Sequence, residues 1–207
     1  CGFILLDDYG HPRHLEQKLA FDAFAARKNI KMTYVIMDNF VYGLTKKQTS
    51  PTSPIGFKSI TDTWGAIDQP INPMKQLIAA GATFVARTTH TNPNHVLQMM
   101  EAAMDHDGFS VIECLSECIE FYEGAFDASN PRKGGVFNTV PVDHDVTNEE
   151  AAYKLAGAPF PGYFGVFYKS PRPTKNALEA KINSEARGKV GEMKDWQILQ
   201  KTFNRLK

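Results

Sequence analysis

Two neutral oxygen donors follow a buried strand of the predicted sheet. The run from Met32 to Met37 is rich in apolar and β-favouring residues, which is typical of a strand in a parallel sheet. Asn39 offers an amide oxygen just after this strand, and Val41 offers a main-chain carbonyl oxygen two residues later. Ligands of open α/β sheets bind where strands end, and Mg²⁺ prefers hard oxygens, often including phosphate oxygens. The pattern therefore predicts a loop that binds Mg²⁺ and a phosphate-bearing cofactor.

The residues that continue this loop carry a resemblance to a known family. After Asn39, the chain reads Tyr42-Gly43-Leu44-Thr45, then Gln48, then Ser50-Pro51-Thr52-Ser53. This order resembles the thiamine-diphosphate-binding β subunit of the 2-oxoacid:ferredoxin oxidoreductases. It departs at Lys47, where the family commonly has glycine. Weaker similarity extends over most of residues 20 to 175, including the stretches 79–87, 115–118 and 165–169.

The resemblance implies which residues bind the cofactor and its metal ion. Mg²⁺ would be held by Asn39 and Val41, and thiamine diphosphate by Asn39, Val41, Tyr42, Gly43, Leu44 and Thr45. The family also uses an aspartate from a Gly-Asp-Gly motif, and its spacing falls on Gly10-His11-Pro12, which lacks that aspartate. Asp7 or Asp8 would supply the carboxylate only with a few extra residues in between. The alternative for Asn39 is that its side chain only supports the turn.

The resemblance also implies a 4Fe-4S cluster, which needs thiolate ligands. Cys118, in a Leu-Ser-Glu-Cys stretch, matches a late cluster cysteine of the family, and Cys1-Gly2 matches the end of its early motif. The alternative for Cys118 is a small buried apolar residue, and core packing is the interpretation for Cys114. Because two cluster cysteines and the Gly-Asp-Gly aspartate are absent, we expect the sequence to lack segments before and around residues 3 to 14.

The implied reaction is the oxidative decarboxylation of a 2-oxoacid to an acyl-coenzyme A, with electrons passing through the cluster to ferredoxin. Leu44 and Lys46 would lie above the substrate as catalytic residues, in a site that an α subunit completes. A lysine there can pair with a distal carboxylate, which favours 2-oxoglutarate over pyruvate. The alternative for Lys46 and Lys47 is a pair of solvated loop charges.

Composition limits the classes of partner. Lysines and arginines balance aspartates and glutamates in a chain of 207 residues, and the pI is near 7.2. This balance gives no electrostatic reason to expect nucleic acid or an anionic membrane as a partner. No run approaches the roughly 18 apolar residues that span a bilayer, so we expect a cytoplasmic protein without a membrane partner. Three cysteines do not suggest a disulfide framework.

The element pattern predicts a doubly wound, mostly parallel α/β sheet of the thiamine diphosphate-binding fold, incomplete at the N-terminus. We predict helices at 14–29, 73–81 and 93–106, and a fourth that a capping box at 147–150 begins and Gly157 ends. Strands are predicted at 32–37, 82–87, 109–114 and 163–168, with an unusually long loop at 39–72. Residues 1–173 would form the cofactor domain and 174–207 a C-terminal helical arm.

Two rival functions share this fold. A non-redox thiamine diphosphate enzyme, such as a decarboxylase, would keep Asn39 and Val41 without using Cys1 or Cys118, so iron content separates it from the oxidoreductase. A non-catalytic binding or assembly subunit would fail to bind the cofactor.

Overall fold

A single sheet forms the centre of the domain. The computed structural model describes residues 3–6, 23–190 and 193–205, so the predictions on Cys1, Asp7, Asp8 and residues 10–12 lie outside the described residues. The sheet contains β1 (Phe3–Leu6), β2 (Met32–Asp38), β3 (Phe84–Thr89), β4 (Phe109–Leu115) and β5 (Gly165–Lys169). Their order is β1-β2-β4-β3-β5, with β5 antiparallel to β3 and the other pairs parallel. The predicted mostly parallel sheet is confirmed.

Helices cover both faces of this sheet, as a doubly wound fold requires. α1 is described over residues 23–28, followed by α2 (Pro73–Ala79), α3 (Pro93–Asp105) and α4 (Glu149–Ala156). On one face, apolar residues of α1, α2 and α4 pack against Tyr34, Ile36 and Val111. On the other face, α3 packs against Val35 and Ile112. Because strand side chains alternate between faces, both faces of the central strands are apolar and the strands appear as continuous buried runs.

The predicted boundaries of two elements shift for local reasons. α2 ends at Ala79 because the next residues cap it: the N–H of Gly81 donates to Ile78 and that of Ala82 donates to Leu77. Strand β3 therefore begins at Phe84 rather than Ala82. At α4, the helix N-cap is Asn148, whose side chain accepts from the N–H of Ala151.

The capping box predicted at 147–150 is therefore wrong about the capping residue. Thr147 instead donates its hydroxyl to Asp145, at 2.7 Å, so the threonine side chain is used in the preceding turn. Asn148 takes the cap because asparagine fills that position as readily as threonine. The predicted end of the helix at Gly157 is confirmed.

Two further helices follow the sheet. They are α5 (Lys175–Val190) and α6 (Asp195–Arg205), and both are largely exposed. α6 exposes Trp196, Leu199 and Phe203, each at about 60%. No helix within residues 23–190 or 193–205 combines the length and apolar character that crossing a membrane requires. Helices are thus present where an arm was predicted, and the division into domain and arm stays a prediction.

The register of the sheet decides which side chains meet. Asp38, the last residue of β2, lies opposite Leu115 of β4, and Leu115 lies opposite Thr89 of β3. The carboxyl ends of β2, β4 and β3 therefore lie side by side at one edge of the sheet. The long loop predicted at 39–72 leaves from this edge and contains no helix or strand apart from one isolated bridge between Tyr42 and Gln48.

Candidate cofactor site at the end of strand β2

The turn after β2 presents the two predicted oxygen donors. Asn39 is half-buried, and its side-chain oxygen accepts a hydrogen bond from the N–H of Val41 at 3.0 Å. Within the described part of the chain, no donor bonds the main-chain oxygen of Val41. The turn-supporting role of Asn39 is therefore present, but an amide oxygen has a second lone pair. Asn39 and Val41 thus keep acceptor capacity for a cation, which fits the predicted Mg²⁺ ligands.

The next residues close a small loop on itself. The N–H of Tyr42 donates to the carbonyl of Gln48 at 2.9 Å, and that of Lys46 donates to Gly43 at 3.0 Å. Lys46 and Lys47 have φ values of 64° and 68°, in the left-handed region that favours glycine. The position where the family commonly has glycine therefore keeps a glycine-like backbone with lysine in place. Leu44, 84% exposed, and Lys46 both lie open to solvent, and their catalytic roles stay predictions.

The Ser-Pro-Thr-Ser segment folds back onto the strand exit. The hydroxyl of Thr52 donates to Asp38 Oδ1 at 2.6 Å, and that of Ser53 donates to the carbonyl of Phe40 at 2.6 Å. Both residues are buried: Thr52 is 6% exposed and Ser53 is 3% exposed. From the sequence, this segment could be recognised only as part of a family motif. Its hydrogen bonds span 14 and 13 positions along the chain, and bonds over such separations leave no short sequence pattern.

A buried charged cluster beside the turn was not predicted. Arg87 of β3 donates from Nε to Glu113 Oε2 of β4 at 2.5 Å, and Asp38 lies on the same face of the sheet. Burial, then the charge of Glu113, raises the pKa of Asp38 to about 7, against the opposing effects of hydrogen bonds from Thr52 and Phe40 and the charge of Arg87. Asp38 Oδ2 is buried and has no hydrogen-bond partner among the described residues. The sequence did contain a signal for this cluster, because strands β2, β3 and β4 each have one charged residue in an otherwise largely apolar run.

A cavity of about 410 Å³ lies beside this cluster. Asp38, Arg87 and Glu113 line it together with aromatic residues that include Phe40 and Phe160. A larger cavity of about 730 Å³ lies at the opposite edge of the sheet, where the parallel strands begin, and contains no predicted site residue. Because open α/β sheets bind ligands at the carboxyl ends of their strands, the smaller cavity is the relevant one.

The fold places Cys118 against the predicted cofactor loop. A Cβ atom built on Gly43 would lie 3.1 Å from Cys118 Sγ, and Cys118 packs beside Val41 and Phe57. Cys114 is 4% exposed on the face that α3 covers, which confirms core packing. In the described ranges, no group of three or more histidine, cysteine, aspartate or glutamate side chains is arranged to hold a metal ion.

Comparisons with known proteins show what the fold and the sequence are similar to. Residues 23–114 match the thiamine pyrophosphate enzyme, C-terminal TPP binding domain; thiamine pyrophosphate is another name for thiamine diphosphate. The chain is 37% identical over 120 residues to the 2-oxoglutarate oxidoreductase subunit KorB of Mycobacterium tuberculosis, covering 58% of this chain and 32% of the relative. It is 33% identical over 150 residues to the 2-oxoglutarate synthase subunit KorB of Methanothermobacter marburgensis, covering 72% and 51%. The chain thus spans from about a third to about half of the length of these relatives.

A solved structure gives the same result in three dimensions. The 2-oxoglutarate:ferredoxin oxidoreductase from Magnetococcus marinus, with 2-oxoglutarate, coenzyme A and succinyl-CoA bound, superposes with a TM-score of 0.74 at 34% identity. The match covers 87% of this chain and 62% of that chain. The predicted fold and resemblance are therefore confirmed. Over the residues that these matches cover, the chain is similar to the KorB subunits of 2-oxoglutarate oxidoreductases and to the thiamine pyrophosphate-binding domain.

Proposed function

We propose that this chain is the cofactor-binding part of the β subunit of a 2-oxoacid:ferredoxin oxidoreductase that acts on 2-oxoglutarate in the cytoplasm. The observation that carries the proposal is the turn at residues 39–41, where two oxygen donors stand at the carboxyl end of β2. The names of the relatives, and the 2-oxoglutarate and coenzyme A bound to the structural neighbour, support the substrate and the acyl acceptor.

The chain's own residues would hold the cofactor. Asn39 Oδ1 and the Val41 carbonyl would hold Mg²⁺, a hard cation that phosphate oxygens also bind, and residues 42–45 would contact the cofactor itself. Thiamine diphosphate, when bound, supplies the electron sink that a 2-oxoacid needs in order to lose CO₂. The domain that residues 23–114 match binds this cofactor, which supports the assignment. The positions where the resemblance would put the Gly-Asp-Gly carboxylate, residues 7–12, lie outside the described residues.

Substrate choice would depend on the exposed part of the loop. Lys46 would pair its ammonium group with the distal carboxylate of 2-oxoglutarate, and Leu44 would offer an apolar surface beside it. Both side chains are exposed in this single chain, so a partner is needed to enclose the substrate. The relatives are named as subunits, which supports a partner such as an α subunit in that role.

Electron transfer would use a 4Fe-4S cluster with Cys118 as one ligand, and Cys1, outside the described residues, as another. The position of Cys118 Sγ beside Gly43 supports this role, because it brings the thiol next to the cofactor loop. A cluster needs four ligands. The described residues supply only this one candidate near the loop, so the other ligands would have to come from residues outside them. Ferredoxin as acceptor is part of the same proposal.

Calorimetric titration with thiamine diphosphate tests the cofactor assignment. We expect the chain, coexpressed with its α subunit, to bind the cofactor with Mg²⁺ and to lose that binding in EDTA. Asn39→Ala should weaken binding at least roughly tenfold, because one metal ligand is removed. Asn94→Ala, an exposed asparagine on α3, is the matched control and should leave binding unchanged.

The same complex separates the rival functions. Lys46→Ala should raise KM for 2-oxoglutarate and leave the weaker use of pyruvate unchanged. An iron-free complex that still decarboxylates its substrate would favour the non-redox enzyme. A complex that binds no cofactor would favour the non-catalytic subunit.

A further inference from the structure

Two hydroxyl groups reach back to the turn that carries the predicted metal ligands. Thr52 donates to Asp38 Oδ1 and Ser53 donates to the Phe40 carbonyl, each at 2.6 Å. We call this pair, Thr52 and Ser53, the hydroxyl clamp. Each residue is at least nine-tenths buried, so water does not compete for these hydrogen bonds.

The clamp completes a set of bonds that fixes successive peptide groups of the turn. Asp38 Oδ1, which Thr52 holds, accepts the N–H of Phe40 at 3.1 Å. The peptide group between Phe40 and Val41 is then held at both ends: Ser53 binds its carbonyl, and Asn39 binds its N–H. The orientation of this peptide group therefore determines where the next carbonyl, that of Val41, lies.

The turn needs such support because its backbone is unfavourable. Phe40 has a φ of 60°, in the left-handed region that costs a residue with a Cβ on the order of 1 kcal/mol. Without the clamp, Phe40 would gain by leaving this conformation. Its departure would move the Asn39 amide and the Val41 carbonyl relative to each other.

The clamp is itself held in place. The N–H of Ser50 donates to Ser53 Oγ at 2.9 Å, and the N–H of Ser53 donates to the Ser50 carbonyl at 3.0 Å. Ser50 Oγ also lies 3.2 Å from the hydroxyls of Thr52 and Ser53. The hydroxyls therefore have fixed directions before any ligand arrives, as a supporting shell must.

We propose that Thr52 and Ser53 are positioning residues, which hold Asn39 and Val41 in the geometry that binds Mg²⁺ and the cofactor diphosphate. This inference rests on the proposed function. Groups that orient metal ligands typically change metal affinity 10- to 100-fold, roughly, when they are removed. The hydroxyl clamp should do so without contacting the metal ion.

The test compares variants that lose a buried hydroxyl at the turn and elsewhere. Ser53→Ala removes the bond to Phe40. Ser129→Ala is the matched control, because Ser129 is fully buried and its hydroxyl also donates to a phenylalanine carbonyl, that of Phe126, at 2.8 Å. Thr52→Val removes the other hydroxyl, and Thr52→Ser restores it.

The measurements are Mn²⁺ binding by electron paramagnetic resonance and thiamine diphosphate binding by calorimetry, on the complex with the α subunit. We expect Ser53→Ala and Thr52→Val to weaken both affinities about 10- to 100-fold. Thr52→Ser and Ser129→Ala should stay within about twofold of wild type. If a lost buried hydroxyl weakened binding only by lowering stability, Ser129→Ala would weaken both affinities as well.

The outcomes separate this inference from the proposed function. If the wild type and the clamp variants bind Mn²⁺ and thiamine diphosphate equally well, the positioning role of the clamp is wrong. The proposed function is then unaffected. Wild type that binds neither ligand overturns the proposed function and the clamp with it. If Ser53→Ala does not fold, the Thr52→Val and Thr52→Ser pair decides.

Discussion

Two cysteines four positions apart have different chemistry because their surroundings differ. Burial, then the charge of Glu113, raises the pKa of the Cys114 thiol to about 11. Cys118 is half-buried against the cofactor loop. The thiolate is the reactive form of cysteine, so a raised pKa and a buried position both protect Cys114.

We therefore expect iodoacetamide at pH 8 to label Cys118 and to leave Cys114 unmodified in the folded, iron-free chain. Raising the pH to 10 should add little label at Cys114, because its pKa of about 11 keeps most of the thiol protonated. Peptide mass spectrometry gives the label at each position, and urea-unfolded protein is the control in which both react. Equal labelling of both thiols in the folded chain would contradict this environment for Cys114.

The element that most affects the site is the closed loop from Tyr42 to Gln48. Its two left-handed residues, Lys46 and Lys47, occur where a Cβ atom is unfavourable. Two reciprocal hydrogen bonds between Tyr42 and Gln48 keep the loop closed despite this cost. The loop can therefore carry lysine where the family commonly has glycine.

Lys47→Gly should stabilise the folded chain by about 0.5 to 1 kcal/mol, because glycine takes a left-handed backbone without a steric cost. Lys58→Gly is the control: Lys58 is also an exposed lysine of the long loop, but its φ is not positive. At position 58, glycine only raises the conformational entropy of the unfolded chain. Lys58→Gly should therefore lower stability slightly. Urea denaturation measures both changes, and a loss of stability in Lys47→Gly would mean that the contact of Lys47 Nζ with the Phe57 ring, 5.9 Å from the ring centroid, outweighs the cost of the left-handed backbone.

At the scale of the whole molecule, Arg172 joins three parts of the chain. Its guanidinium donates to the carbonyl of Ala26 in α1 and, at 2.9 Å, to that of Gly81 just after α2. Asn29 in turn donates to the Arg172 carbonyl at 2.7 Å. The segment that follows β5 is thereby attached to the ends of two helices that cover the sheet, and it leads directly into α5.

Arg172→Met should lower the free energy of unfolding by roughly 2 to 3 kcal/mol, because two partly buried carbonyl groups lose a charged donor. Arg187→Met is the control, since the Arg187 side chain is 74% exposed and its nearest charged partner, Asp195, is 3.7 Å away. That control should change stability by less than about 0.5 kcal/mol. Thermal and urea unfolding measure both variants. Equal effects would show that the Arg172 bonds add nothing to the folded state.

Much of the candidate site was predictable because its evidence is local. Asn39 and Val41 follow a strand that apolar residues define, and the loop that carries them resembles a family motif except at Lys47. The hydroxyl bonds of Thr52 and Ser53, and the ion pair of Arg87 with Glu113, were not predictable. They connect residues 13 to 26 positions apart, and such pairs depend on strand register rather than on any short pattern.

The sequence by itself determined strands β2 to β5, helices α2 to α4, the resemblance to a family and the extent of the long loop, since hydrophobic periodicity and motif order act within windows of about 20 residues or fewer. Only the tertiary structure decided the strand order β1-β2-β4-β3-β5, the antiparallel direction of β5 and the meeting of Asp38, Arg87 and Glu113. The physical reason is that a strand pairs with whichever neighbour lets both faces of the sheet be buried. That choice is made by the whole chain at once.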